Sequence, residues 1–209
     1  MPAILNAQVE KYMNDLLPRR DPVLAAMEKR AQKHNIPIIG PACARVLYLV
    51  TRLAGAKRIF EMGSAIGYST IWLARAAGEG AEVFYTDGDP ANAAIAKEYI
   101  EQADVADRIK ILVGDALTLL NETPGNFDVI FIDVDKHQYP AALKAAIPRV
   151  RQGGLIITDN TLWSGKVTKR AKDADTRGVQ QFNKATYASE ELFPIIVPLR
   201  DGVTVAQKL

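Results

Sequence analysis

Apolar residues are spaced helically at the start of this chain and then alternate between strand-like and helix-like runs. From Ile4 to Leu17, the residues Ile4, Leu5, Val9, Tyr12, Met13 and Leu16 share one helical face, and Pro18 ends the run. Asp21-Pro22 is an N-cap followed by a proline at the first helical position, which predicts a second helix to about His34. Asn35 to Pro41 is a Pro/Gly connector, and Ala42 to Leu53 carries Val46, Leu47, Leu49 and Val50 into a third helix. Ile59, Phe60 and Met62 then form a short apolar run. Gly63 and Gly67 interrupt it, and Tyr68 to Ala77 resumes at helical spacing.

The alternation continues downstream. Glu82 to Thr86 predicts a strand, Ala91 to Ala103 a helix opened by Asp89-Pro90, Arg108 to Val113 a strand, and the next residues a short helix to about Leu120. Phe127 to Ile132 is unbroken apolar sequence, as expected of a strand covered on both faces. A helix to about Val150 follows, and Gly153-Gly154 leads into a strand at Leu155 to Thr158. Strand and helix thus alternate five times without an internal repeat, which predicts an α/β fold with a doubly wound sheet and extra N-terminal helices. Leu192 to Leu199 and Val203 to Lys208 flank Arg200-Asp201-Gly202, an Asp-Gly hairpin signal, so the last strand should run antiparallel at or near the sheet edge.

With 209 residues, 48% of them hydrophobic, the chain has material for one domain over 1–209. Residues 1–54 are expected to cap a pocket or form a dimer interface, and 55–209 to form the core. The 26 basic and 24 acidic residues nearly cancel, so global charge gives no argument for a nucleic acid or membrane partner. Cys43 is the single cysteine, which excludes an intramolecular disulfide; with only His34 and His137 beside it, a metal would need oxygen ligands. There is no signal pattern and no apolar run of about 18 residues, so the expected location is cytoplasmic.

Arg58 to Ala77 reads as strand, glycine turn and helix, a local shape that lets backbone approach a ligand and aims free N–H groups at it. Ala65 stands where the dinucleotide fingerprint needs glycine, which counts against a nicotinamide oxidoreductase, and the Gly-Lys-Ser/Thr ending of a triphosphate loop is absent. Glu61 beside the turn suits a ligand carrying an amino group and a sulfonium, which points to S-adenosylmethionine. Asp87 ends the second strand about 20 residues past the turn, the position of a ribose-binding acid. Asp133, Asp159 and Asn160 end two further strands on the same side. Two carboxylates and an amide oxygen are hard donors suited to a divalent cation, Mg²⁺ foremost, with Mn²⁺ or Ca²⁺ as alternatives. Lys136, three residues past Asp133, is a candidate general base, while Asp135 fits either a cofactor contact or an N-cap.

Five segments together resemble the cation-dependent O-methyltransferases of the catechol and caffeoyl-CoA type: Glu61 to Ser69, Thr86 to Pro90, Gly114-Asp115-Ala116, Asp133 to Lys136, and Asp159 to Gly165. Pro198 to Gly202 adds a sixth. The resemblance implies a Rossmann-like sheet of seven strands with an antiparallel C-terminal strand, commonly in a homodimer. It implies that Glu61, Gly63, Ser64 and Ser69 hold the methionine end of S-adenosylmethionine, that Asp87 holds the ribose, and that Asp115 and Ala116 hold the adenine. Asp133, Asp159 and Asn160 would bind the metal, with Asp133, Asp135 and Lys136 at the reacting centre. The expected acceptor is a small catechol-like aromatic whose vicinal oxygens chelate the ion. Methylation of 5-hydroxyuridine in tRNA is the alternative, to which Lys166 to Arg177, expected as a basic loop at the pocket mouth, would contribute. Trp163 is a candidate wall for the aromatic ring. Ile38 to Arg45 is more apolar than the family pattern, which leaves Ile39 and Arg45 as candidate substrate contacts.

Overall fold

In the computed structural model, which describes residues 6–209, seven strands form one sheet in the order β3-β2-β1-β4-β5-β7-β6. The strands are β1 (Arg58–Met62), β2 (Glu82–Asp87), β3 (Ile109–Val113), β4 (Phe127–Ile132), β5 (Val150–Thr158), β6 (Leu192–Val197) and β7 (Val203–Lys208). The first five pair in parallel, and β7 runs antiparallel between β5 and β6. This is the doubly wound, Rossmann-like sheet, with its antiparallel strand one place in from the edge. The helices are α1 (Ala7–Asp15), α2 (Pro22–His34), α3 (Gly40–Leu53), α4 (Tyr68–Ala77), α5 (Pro90–Gln102), α6 (Ala116–Glu122), α7 (Tyr139–Ala146) and α8 (Ala174–Ala188). Ile4 and Leu5 of the expected first helix lie outside the described residues. None of the described helices is long and apolar enough to cross a membrane.

Strand periodicity divides the buried residues between two layers. Ile59, Val83, Val129 and Ile157 face one side, where α2 to α5 cover them through residues such as Met27, Leu47, Ile71 and Ala96. Phe60, Phe84, Ile130 and Ile156 face the other, under Leu120 of α6, Leu143 of α7 and Phe182 of α8. Each large side chain buried this way contributes about 1.5–3 kcal/mol, so the sheet is held from both faces and its strand ends are fixed platforms.

Three elements differ from the sequence reading. The helix expected to reach Val150 stops at Ala146, because Pro148 cannot supply the next helical N–H, and a short 3₁₀ turn, 147–149, delivers the chain into β5. β5 begins at Val150 rather than Leu155, since Gly153-Gly154 is an irregularity inside the strand and not a break before it. A Cβ on Gly154 would lie 2.8 Å from the Asp128 carbonyl, so the neighbouring strand requires glycine there. The basic stretch Lys166 to Arg177 is not one loop. It crosses a 3₁₀ segment, 163–168, and enters α8, whose N-cap Asp173 accepts from Thr176 N at 2.7 Å.

β6 is one of the two edge strands, and its free side offers little to another strand. Pro194 has no N–H, and the Ile196 N–H donates to Tyr187 Oη at 3.1 Å. Phe193 and Ile195, on either side of Pro194, point out of the sheet, 68% and 57% exposed.

Helix α8 packs through Gly178 onto the turn that carries Lys136. A Cβ there would collide with the Lys136 carbonyl and lie 2.8 Å from His137 Cα. In a helix, Gly→Ala ordinarily stabilises by about 1 kcal/mol. Here the sign should reverse: Gly178→Ala is expected to lower urea stability by about 1–3 kcal/mol, the usual range for overpacking. An unchanged or higher urea midpoint would contradict the contact.

Candidate active site

The order of strands reverses between β1 and β4, and a crevice opens at the carboxyl ends of the strands there. The two strand ends are held close. Asp133 N donates to Met62 O at 2.8 Å, and a Cβ on Gly63 would stand 2.6 Å from the Asp133 carbonyl. Gly63, at φ 85°, is therefore required by the neighbouring backbone as well as by its own left-handed conformation. Gly67, at φ 83°, has Ala96 of α5 3.1 Å from where its Cβ would be. The turn is wedged between two elements.

A cavity of 640 Å³ fills this crevice. One end is lined by Gly63, Ala65, Asp87, Asp115 and Ala116, the other by Asp133, Asp135, Lys136, Asp159 and Asn160. Asp87 is fixed by three donors: Ala65 N at 2.9 Å and Asp89 N at 2.8 Å from the backbone, and Asn92 Nδ2 at 3.2 Å. Asp115 caps α6 through Oδ1, which accepts from Thr118 N and Oγ1, both at 2.8 Å. Asp135 is exposed at the rim.

Glu61, Ser64 and Ser69 do not reach the cavity wall. They lie beneath the glycine turn, where Glu61 is fully buried and Thr70 donates to its Oε2. Burial pushes the Glu61 carboxyl up to about 7, against hydrogen bonds from Ser69, Thr70 and Ser64 that favour its ionised form. Its Oε1 has no partner. Ser64 ties the turn to β2 instead: its N–H donates to Thr86 O at 2.9 Å, and its Oγ accepts from Thr86 N at 3.1 Å.

At the other end the charges are closely set. Lys136 Nζ donates to Asp133 Oδ1 at 2.9 Å and to Val134 O at 3.3 Å, and it stands 5.4 Å from the Tyr139 ring centroid and 5.9 Å from that of Trp163. Burial raises the Asp133 carboxyl, opposed by Lys136 and Arg200. Asp159 is pushed up to about 7 by burial and by Asp133, opposed by Arg200. Asp159 Oδ1 is buried with no partner. Tyr139 Oη donates to the Asp159 carbonyl at 2.9 Å and holds that strand end in place.

Asn160, at φ 57°, lines the cavity beside Asp159. Trp163 is not part of the wall. It stands behind Lys136, with Lys166 Nζ 4.9 Å from its ring centroid. Ile39 is buried and lines a second cavity, while Arg45 is exposed on α3 and lines neither. Sequence reasoning missed Arg200, which lines the site from the β6–β7 turn and lies 3.9 Å from Asp159 Oδ2. The Pro-Leu-Arg-Asp-Gly block was its signal, read only as a hairpin and a family match. It also missed residues 35–38, the α2–α3 connector, as part of the wall.

The model of a family described as O-methyltransferase matches residues 18–209. A catechol O-methyltransferase from Niastella koreensis is 35% identical over 182 residues, 84% of this chain and 82% of that protein. Caffeoyl-CoA O-methyltransferase 1 from Eucalyptus globulus is 31% identical, over 92% of this chain and 84% of that one. Among solved structures, an O-methyltransferase from Bacillus cereus in complex with SAH superposes with a TM-score of 0.88, at 31% identity and 97% coverage of both chains.

The buried carboxylates have a consequence for stability. In the unfolded chain Glu61 titrates near the ordinary value of about 4.3, and in the folded chain near 7, so the folded state holds the extra proton between those values. The stability of the ligand-free protein should therefore fall as pH rises from about 4.5 to 7, by on the order of 3 kcal/mol from this residue. Glu61→Gln should flatten that slope in urea unfolding measured from pH 5 to 8. A slope unchanged in the variant would refute the raised value.

Proposed function

The chain belongs to the O-methyltransferase family, and from that premise we propose that it moves the methyl group of S-adenosylmethionine onto one hydroxyl of a small vicinal dihydroxy aromatic, with a divalent cation at Asp133, Asp159 and Asn160. The observation that carries this reading is the division of one cavity into two chemically different ends. One is a glycine turn with a fixed ribose-type acid, Asp87; the other is a pair of carboxylates, the half-buried Asp133 and the buried Asp159, whose Oδ1 has no partner.

The donor set fits a hard divalent ion. Asp159 Oδ1 lacks a partner, the neighbouring Asp133 raises the Asp159 carboxyl's affinity for protons, and Asn160 adds a neutral oxygen. Among the described residues no group of three or more His, Cys, Asp or Glu side chains forms a metal cage, so the acceptor's own oxygens or water must complete the shell. When bound, the ion supplies a charge that lets a chelated hydroxyl ionise near neutral pH.

The chain's own residues do the rest. Gly63, Asp87, Asp115 and Ala116 would hold the cofactor, with Glu61, Ser64 and Ser69 bracing the turn from beneath. Lys136, kept in place by Asp133, the Val134 carbonyl and two aromatic rings, takes the hydroxyl proton on Nζ. The cofactor would supply a sulfonium methyl: the oxygen would bond to the methyl carbon as the carbon–sulfur bond broke, the electron pair left on sulfur cancelling its charge.

Labelled methyl transfer from S-adenosylmethionine to a dihydroxy aromatic such as caffeic acid should occur with Mg²⁺ and stop with EDTA. Lys136→Ala should reduce kcat by roughly 10²- to 10⁴-fold, the typical worth of a general base. Asp159→Ala should abolish transfer with cofactor affinity nearly unchanged; loss of cofactor binding in that variant would contradict its role. Transfer to hydroxylated tRNA, with none to any dihydroxy aromatic, would move the acceptor assignment to RNA.

A further inference from the structure

A second cavity of 530 Å³ lies between α1, α2, the start of α3 and the β6–β7 turn. Five residues line both cavities: Asn35, Ile36, Pro37, Ile38 and Arg200. Four belong to the α2–α3 connector, whose path is fixed by the helices at its two ends. The fifth arrives from the far end of the chain. Arg200 Nη1 donates to the Ile38 carbonyl at 2.8 Å and stands 3.9 Å from Asp159 Oδ2. The guanidinium thus spans from the connector to the carboxylate end of the active site. Its backbone holds a φ of 52°, in the left-handed region that a non-glycine residue keeps only where its surroundings hold it there. The turn around it is pinned, since Leu162 N donates to Asp201 O at 2.8 Å and Thr161 N to Gly202 O at 3.0 Å. Beyond the wall the second cavity is apolar on its α3 side, at Ile39, Ala42, Cys43 and Leu199, and polar on its α1–α2 side, where Glu10, Asn14, Glu28 and Gln32 line it.

We propose that Arg200 is a specificity-determining partition. Its guanidinium confines the acceptor to the first cavity, and without it the two spaces join and admit acceptors that carry an apolar arm. The inference rests on the proposed acceptor class only for the head group used in its test.

The test is a series of 4-alkyl-1,2-dihydroxybenzenes, from no arm to hexyl, read as kcat/KM and as equilibrium binding by calorimetry, on the wild type and on Arg200→Ala. The wild type should show no gain from longer arms. The variant should prefer the butyl over the armless compound by about 10- to 100-fold, given roughly fourfold for each methylene buried at about 0.8 kcal/mol. Adding Ala42→Leu, on the far side of the wall, should cancel that gain. Arg200→Lys, too short to reach both partners, carries the same comparison if the alanine variant does not fold. A wild type that already prefers long arms would overturn the partition. So would an Arg200→Ala variant that loses all acceptors by one common factor, which is what a purely structural tie would give. If no dihydroxy aromatic turns over, the acceptor class is at fault, while the binding isotherms still decide the partition.

Discussion

The site depends on the close approach of two strand ends. Where the strand order reverses, β1 and β4 lie side by side in register, and the backbone after Met62 meets the backbone after Ile132 with no room for a side chain at Gly63. That contact puts the glycine turn and the first acid of the carboxylate end in one crevice. The flanking strands then add Asp87 on one side and Asp159 on the other at similar depth. A residue at 63 with a Cβ would not merely strain a turn; it would push apart the two halves of the site.

Much of this was legible in the sequence because the central strands are continuous apolar runs and their ends are abruptly polar. Phe127 to Ile132 followed by Asp133 gives both a buried strand and the place where it stops. The same reasoning failed where polarity and burial diverge. Helix α8 buries Thr176, Gly178 and Thr186 beside Val179 and Phe182, so its inner face does not read as apolar, and the preceding run of basic residues hid its start. Gly153-Gly154 looked like a boundary because glycine punctuates strands in both ways, as a break and as an irregularity within one.

Site residues show a further limit. Motif position tells which residues are near a ligand along the chain, but not at what depth. Glu61, Ser64 and Ser69 belong to the turn and yet sit under it, whereas Asp87 and Asp115 face the cavity. Arg200 could not be assigned from its own neighbourhood, because its partner Ile38 is 162 positions away. Arg45 was selected for its place in an atypical stretch, and the helix turns it outward. Setting the half-buried Asp133 beside the buried Asp159 also lowers the stability of the empty fold, so the arrangement is more favourable with a positive partner than without one.

The free side of β6 bears on how this protein meets other chains. A strand there finds one position without a donor, at Pro194, and another whose donor is already engaged by Tyr187. Backbone templating, the route by which exposed edges seed fibrils, is closed on that side. Phe193 and Ile195 remain displayed, so any association at this margin has to be won by side chains fitting a complementary surface. Such contacts are selective and reversible, which lets a sheet keep oily residues at its border without recruiting every unfolded chain that passes.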